Sequence, residues 1–237
     1  MAAEVVIDRR FRGPPASANG GYTCGIVAAA LGAQAAEVNL RRPPPLDRAL
    51  GIDPEADGVR LVDGTDLVAD GRPLHEVEVE LPEPPPLHVA EEADARSAFF
   101  DDHPFPGCFV CGPEREPHDG LRIFPGAVGD RGLLACAWVP EAGLADGGGR
   151  VRPEIVWAAL DCPSGNAAHH FAPDETTMVL ARLRGHPARA LEPSRPYVVV
   201  GWPISRDGRK HLSGTAIFDA AGEPRAWSEA LWIELRE

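Results

Sequence analysis

The sequence predicts an α+β fold made of two similar units, each a central helix followed by antiparallel strands. Three observations predict it. Two apolar, helix-like segments, residues 20–32 and 152–161, are each followed by a series of short strand-like runs. Several of those runs meet at Asp-Gly or Ala-Gly pairs, which favour antiparallel hairpins. Between the units lies "PEPPPLHVAEEADA" (82–95), a proline cluster joined to an acidic run, which has little to bury and reads as a linker. The boundaries that follow are 1–81 for the first half, 82–96 for the linker and 97–237 for the second half. A chain of 237 residues can hold one large domain or two small ones, and its 44% hydrophobic content suffices for a core.

The first unit opens on a short strand at 5–10. "ASANGGYTCGIVAAALG" (16–32) then reads as a helix with Ser17 or Asn19 as N-cap. Two glycines in a first helical turn are unfavourable by about 1 kcal/mol each relative to alanine. Gly20-Gly21 therefore require a reason. Either a ligand approaches the bare N–H groups of an electropositive helix start, or the helix packs closely against a neighbour. Asp63-Gly64 and Asp70-Gly71 bracket short strands, and "HEVEVEL" (75–81) alternates as a half-buried strand would. In the second unit, "LRIF" (121–124) and "LLACAWV" (133–139) read as strands. "RPEIVWAALD" (152–161) reads as a helix with Pro153 suited to its first turn, and Cys162-Pro163 must break or kink it. Strands follow at "TTMVLARL" (176–183), "PYVVVGWPI" (196–204), "HLSGTAIFD" (211–219) and "SEALWIEL" (228–235). Asp207-Gly208 and Ala221-Gly222 supply the hairpin turns.

Composition excludes several functions. The net charge of −13 argues against a nucleic-acid or anionic-membrane surface. No apolar run is long enough for a signal peptide or a membrane span, so a soluble cytoplasmic protein is expected. Five cysteines, an odd number in a long chain, argue against a disulfide framework. No nucleophile elbow, P-loop or dinucleotide fingerprint is present, and no cofactor is expected.

"GRVRPEIVWAALD" (149–161) carries a specific resemblance. Hotdog-fold acyl-CoA thioesterases of the phenylacetate-pathway type have Gly-x-Val-His-Gly-Gly, six residues, then Asp on the central helix. Gly149, Val151 and Asp161 fall in register with that pattern, while Arg152 replaces the histidine and Pro153-Glu154 replace the glycines. "CFVCGPEREPHDGLRI" (108–123) is similar to the Cys-Gly…Gly-Leu entry segment of the same families. The first half matches in the complementary way: Asn19 stands at the histidine place and Gly20-Gly21 keep the glycines, but Ala28 stands where the acid would be.

The resemblance implies a tandem hotdog, with two sheets joined into one antiparallel surface and the two helices antiparallel. It implies an active site between the halves, where one helix start offers a backbone N–H to a thioester carbonyl and the other helix offers a carboxylate. Gly20-Gly21 survive only in the first half and the acid only in the second, so one composite site is complete and its mirror is dead. Pro153 has no N–H to serve as the equivalent donor. The implied catalytic residues are Asp161, Gly21 and Gly20. Asn19, Tyr22, Ser164 and Asn166 are candidates for substrate contact or water positioning, each with an ordinary structural alternative. Asp161 itself can be read as a satisfied helix-end aspartate, and Asn19 as an N-cap alone.

The implied partner is acyl-CoA or another acyl thioester. The activity is hydrolysis, with a non-catalytic acyl-thioester binder as the alternative; neither helix carries the histidine of hotdog dehydratases. A homodimer of double hotdogs stays open. Arg182, Arg184, Arg206 and Arg209 are weak candidates for coenzyme A phosphates. Cys108-x-x-Cys111, flanked by His103 and His118, has a Cys2His2 inventory, but the irregular spacing and the prolines predict no bound metal.

Overall fold

The computed structural model describes residues 3–172 and 177–235; Thr176, at the start of one expected strand, lies outside them. In chain order the first half holds β1 (Ala3–Val6), α1 (Gly20–Leu31), β2 (Ala35–Leu40), β3 (Ala49–Glu55), β4 (Gly58–Asp63) and β5 (Asp66–Leu74). Next comes α2 (Leu87–Asp94). The second half holds β6 (Gly126–Ala127), β7 (Leu134–Trp138), α3 (Pro153–Ala159), α4 (Cys162–His170), β8 (Met178–His186), β9 (Tyr197–Asp207), β10 (Lys210–Asp219) and β11 (Pro224–Glu234).

The strands form one antiparallel eleven-stranded sheet in the order β1-β3-β4-β5-β2-β8-β11-β10-β9-β7-β6. The two halves have the same internal order. In each, a strand precedes the helical segment, the next strand runs along the seam, and a three-stranded meander fills the space between. The seam pairs β2 with β8, from Ala36 opposite Gly185 to Asn39 opposite Arg182. Glu37 reinforces it, accepting from Arg72 Nε at 2.9 Å and Arg184 Nε at 2.6 Å, and Arg184 also reaches Glu229 at 3.1 Å.

The helices cover one face and run antiparallel. A Cβ on Gly21 would fall 2.4 Å from Asp161 Cβ and 2.5 Å from Trp157 O, and one on Gly25 would fall 2.5 Å from Glu154 Cα. Advancing along α1 therefore retreats along α3. Asn19 caps α1, its Oδ1 accepting from Tyr22 N at 2.8 Å, and Gly32 ends it with φ +63°. The second half has two short helices where one was expected. Asp161 interrupts them with ψ −76°, and Pro163 begins α4 in the first turn, where its missing N–H is harmless.

Four local expectations are corrected. Residues 75–81 form no strand: Val77 is buried and its carbonyl accepts from Trp227 Nε1 at 2.9 Å, so the alternation records one-sided burial without ladder pairing. Residues 121–124 form no strand either. Leu121 and Ile123 donate to the carbonyls of Phe109 and Val110, bracing the loop that carries Cys108 and Cys111. The first strand stops at Val6, before a 3-10 turn at Arg9–Phe11. Asp70-Gly71 lies inside β5, where glycine is required because a Cβ would meet Val27 Cγ1 of α1 at 2.5 Å. In the segment read as a linker, α2 buries Ala90 and Ala93 against Val198, Val200 and Phe218. Their neighbours Val199 and Ile217 point into the main core, so α2 covers the opposite face of the sheet. Among the described residues, no helix is long and apolar enough to cross a membrane.

Candidate functional site

A cavity of about 730 Å³ opens where the start of α1 meets the junction of α3 and α4. Asn19, Gly20, Asp161 and Asn166 line it, together with apolar side chains such as Phe99, Leu180 and Trp232. Arg41 and Arg42 stand at the same cavity, paired with Asp70 and Asp66.

Asp161 is the most constrained group there. Its side chain is 2% exposed, and Oδ2 accepts from Gly21 N at 2.8 Å and from Asn19 Nδ2 at 2.9 Å. Its other oxygen, Oδ1, is buried and has no hydrogen-bond partner among the described residues. Burial pushes the Asp161 carboxyl from the ordinary 3.8 up to about 7, with the Gly21 N–H pulling the other way. Asn19 thus has two roles at once: Oδ1 caps α1 and Nδ2 holds Asp161.

The remaining helix-start donors divide cleanly. Thr23 N reaches Asn19 O at 3.1 Å; Gly20 lines the cavity, and no described residue accepts from its N–H. Gly21 is glycine because Asp161 and Trp157 leave no room for a Cβ. The close-packing answer to the glycine question therefore holds at Gly21. The Asp161 carboxylate bonds Gly21 directly, and the cavity lies to one side of that contact.

Other candidates fall elsewhere. Tyr22 does not line the cavity; it stacks on Phe11 with ring centroids 4.1 Å apart and meets Phe109 edge-on. Burial pushes its hydroxyl up to about 12, with Glu154 adding to the effect. Ser164 is committed: its Oγ donates to Asp161 O at 2.6 Å and accepts from Trp232 Nε1 at 2.9 Å. Asn166 lines the cavity with Nδ2 unpartnered. At the far end of the helix pair, Arg152 and Glu154 lie 3.7 Å apart and Gly25 packs on Glu154. Arg182 and Arg184 pair with Glu229, and Arg206 with Glu234, so these arginines serve the sheet; Arg209 donates to Glu234 O.

One group was missed in the sequence. Cys162 brings its sulfur to within 4.8 Å of those of Cys108 and Cys111, and all three line the cavity. The neighbouring thiols and backbone N–H groups hold Cys108 well below the usual thiol range. His118, by contrast, is exposed and pairs with Glu141. The only available signal was an unpaired third cysteine following the Asp161 position.

No protein-family profile matches the chain, and no curated protein does. Solved structures do. A candidate thioesterase II of Thermobifida fusca YX is 16% identical over 99% of this chain and 93% of its own, with a TM-score of 0.62. A candidate thioesterase of Novosphingobium aromaticivorans is 11% identical over 99% and 95%, with a TM-score of 0.63. A conserved hot dog protein of Alicyclobacillus acidocaldarius is 11% identical over 99% and 93%, with a TM-score of 0.60. At such identities the likeness carries the fold and not the reaction: this chain has the hot dog fold of the Alicyclobacillus acidocaldarius protein.

Proposed function

We propose that the chain is a double hotdog, with halves at 1–81 and 97–237, that hydrolyses an acyl thioester such as an acyl-CoA at one composite site. The observation that carries this reading is the division of labour at Asp161. One carboxylate oxygen is fixed by Gly21 and Asn19, while the other, buried beside an apolar cavity, is unpartnered. The thioester carbonyl oxygen takes the Gly20 N–H at the positive end of α1. Asp161 Oδ1 accepts a proton from water as the water oxygen bonds to the carbonyl carbon. The resulting oxyanion rests on the Gly20 N–H. Collapse breaks the carbon–sulfur bond, and the proton passes from Asp161 to the departing sulfur, leaving acid and thiol. The acyl chain fits along Phe99, Leu180 and Trp232, with Arg41 and Arg42 near the mouth for an anionic carrier.

One observation favours the alternative, a binder without turnover: the Gly21 N–H, the donor implied by the resemblance, is already taken by Asp161. A panel of acyl-CoA thioesters with free-thiol detection separates the two readings. Hydrolysis predicts turnover of at least one thioester, a loss of ~100-fold or more in Asp161→Asn, and unchanged turnover in Glu154→Ala. Binding without turnover across the panel supports the binder. An active Asp161→Asn enzyme overturns the assigned role.

A further inference from the structure

We propose that Cys108, Cys111 and Cys162 form a three-sulfur site for one zinc ion, with its fourth position open to the cavity. The proposal is independent of the thioester reading, and it reverses the expectation that this segment binds no metal. That expectation rested on the irregular histidine spacing and the flanking prolines. The third sulfur comes instead from the first residue of α4, beyond the reach of any spacing rule.

The geometry is that of a ligand set. The three Sγ atoms lie within 4.8 Å of one another, and Cys108 and Cys162 are 3.7 Å apart. Tetrahedral zinc with bonds of ~2.3 Å places its sulfurs ~3.8 Å apart, whereas a disulfide needs ~2.05 Å. The Cys108–Cys111 segment is folded as a knuckle. Gly112 N closes the turn onto Cys108 O at 2.9 Å. Gly112 must be glycine, because a Cβ would stand 2.4 Å from Pro106 O and 2.5 Å from Cys108 N.

The surroundings treat the sulfurs as acceptors. His103 Nδ1 accepts from Phe105 N at 2.9 Å, which leaves the ring hydrogen on Nε2, 3.1 Å from Cys111 Sγ. His103 is therefore a donor to a thiolate and not the fourth ligand. Asn19 Nδ2 lies 3.7 Å from Cys162 Sγ and 4.0 Å from Cys108 Sγ. Such donors stabilise metal thiolates and orient them. Three buried thiolates without a cation would repel one another, and soft sulfur donors favour zinc over magnesium or calcium. On binding, three S–Zn bonds replace three S–H bonds, the protons pass to solvent, and the site keeps one net negative charge. The ion would tie the 105–112 loop to α4 across the cavity wall.

The test uses the reduced full-length chain, purified without chelator and then stripped. Elemental analysis before stripping should find one zinc per chain. Cobalt(II) added to the stripped protein should give a sulfur-to-cobalt charge-transfer band and intense tetrahedral visible bands. Cys162→Ser should weaken metal binding by more than ~100-fold, since changing even an outer hydrogen-bond partner typically costs 10–100-fold. Cys136→Ser, outside the cluster, should bind as the unchanged chain does. Because the cobalt spectrum is read on the unchanged chain, the result does not depend on a variant folding. Five reactive thiols with no metal uptake at micromolar zinc or cobalt, cobalt binding without a charge-transfer band, or a tightly binding Cys162→Ser overturns the proposal.

Discussion

Gly21→Ala tests how closely the two helices are locked together. The new Cβ would lie 2.4 Å from Asp161 Cβ and 2.5 Å from Trp157 O, where carbon contacts normally begin at ~3.5 Å. Trp157 O is backbone, so relief requires α1 and α3 to separate by roughly 1 Å. That shift stretches the 2.8 Å bond from Gly21 N to Asp161 beyond hydrogen-bond range. Overpacking costs about 1–3 kcal/mol and losing a hydrogen bond to a carboxylate about 1.5–3 kcal/mol. Alanine regains about 1 kcal/mol of helix propensity. The net loss is about 1.5–5 kcal/mol, which lowers Tm by roughly 3–20 °C in a domain of this size. Gly20→Ala is the matched comparison. Its Cβ meets side chains and no backbone: Leu180 Cδ2 at 2.9 Å and Leu40 Cδ1 at 3.1 Å, which can rotate aside, and Leu180 Cβ at 3.2 Å, which must give by a few tenths of an ångström. Its Tm should stay within a few degrees of the unchanged chain. Scanning calorimetry of the three proteins decides, and a Gly21→Ala chain as stable as the unchanged one refutes the close-contact account.

Asn19→Ala should cost about 2.5–4 kcal/mol through loss of the cap and of the bond to Asp161, whereas Asn19→Ser should recover only the cap's share of about 1 kcal/mol and still lower thioester turnover, because only asparagine donates to Asp161; denaturant midpoints and steady-state rates report the two effects separately. Asp94 is partly buried, and burial raises its carboxyl from the ordinary 3.8 to about 6 against a weaker opposing pull from Arg122. The folded state therefore holds the proton more tightly, and stability falls as pH rises between ~4 and ~6. Asp94→Asn should gain on the order of 1 kcal/mol at pH 8 after discounting for solvent screening, and nothing near pH 3; an equal gain at both values would contradict this. Glu37 is held below the ordinary carboxylate range by Arg72 and Arg184, which outweigh its burial. Its stabilisation is present at neutral pH and lost as pH falls through the lowered value, so Glu37→Gln should cost roughly 2 kcal/mol at pH 7 and progressively less below pH 4 by urea unfolding.

What was legible in the sequence was whatever acts along the chain. Asn19 before Gly20-Gly21 announces a capped helix, and Pro163 announces a break, because caps and prolines act within one turn. The meeting of Asp161 with Gly21 was legible only through a motif, since 140 residues separate them and no periodicity links them. "HEVEVEL" misled because alternation reports a buried side and not a ladder partner. Cys162 stayed hidden for a related reason: its partners sit in a proline-rich loop whose path is set by bonds to residues 121–123.

The helix pair also explains why its two ends differ. Antiparallel helices set each start beside the other's later turns, so a symmetric pair would present two equal sites. Here the α1 start offers the Gly21 N–H, which bonds Asp161, while the α3 start offers Pro153, which has no N–H, and no side-chain cap. Opposite that second start, Gly25 packs directly on Glu154, whose carboxylate lies 3.7 Å from the Arg152 guanidinium. In a homodimer every substitution appears at both ends, so one end cannot be optimised for packing without altering the other. Two halves in one chain remove that constraint. The second end is free to become a helix contact, and the first is free to keep a pair of glycines and a buried carboxylate.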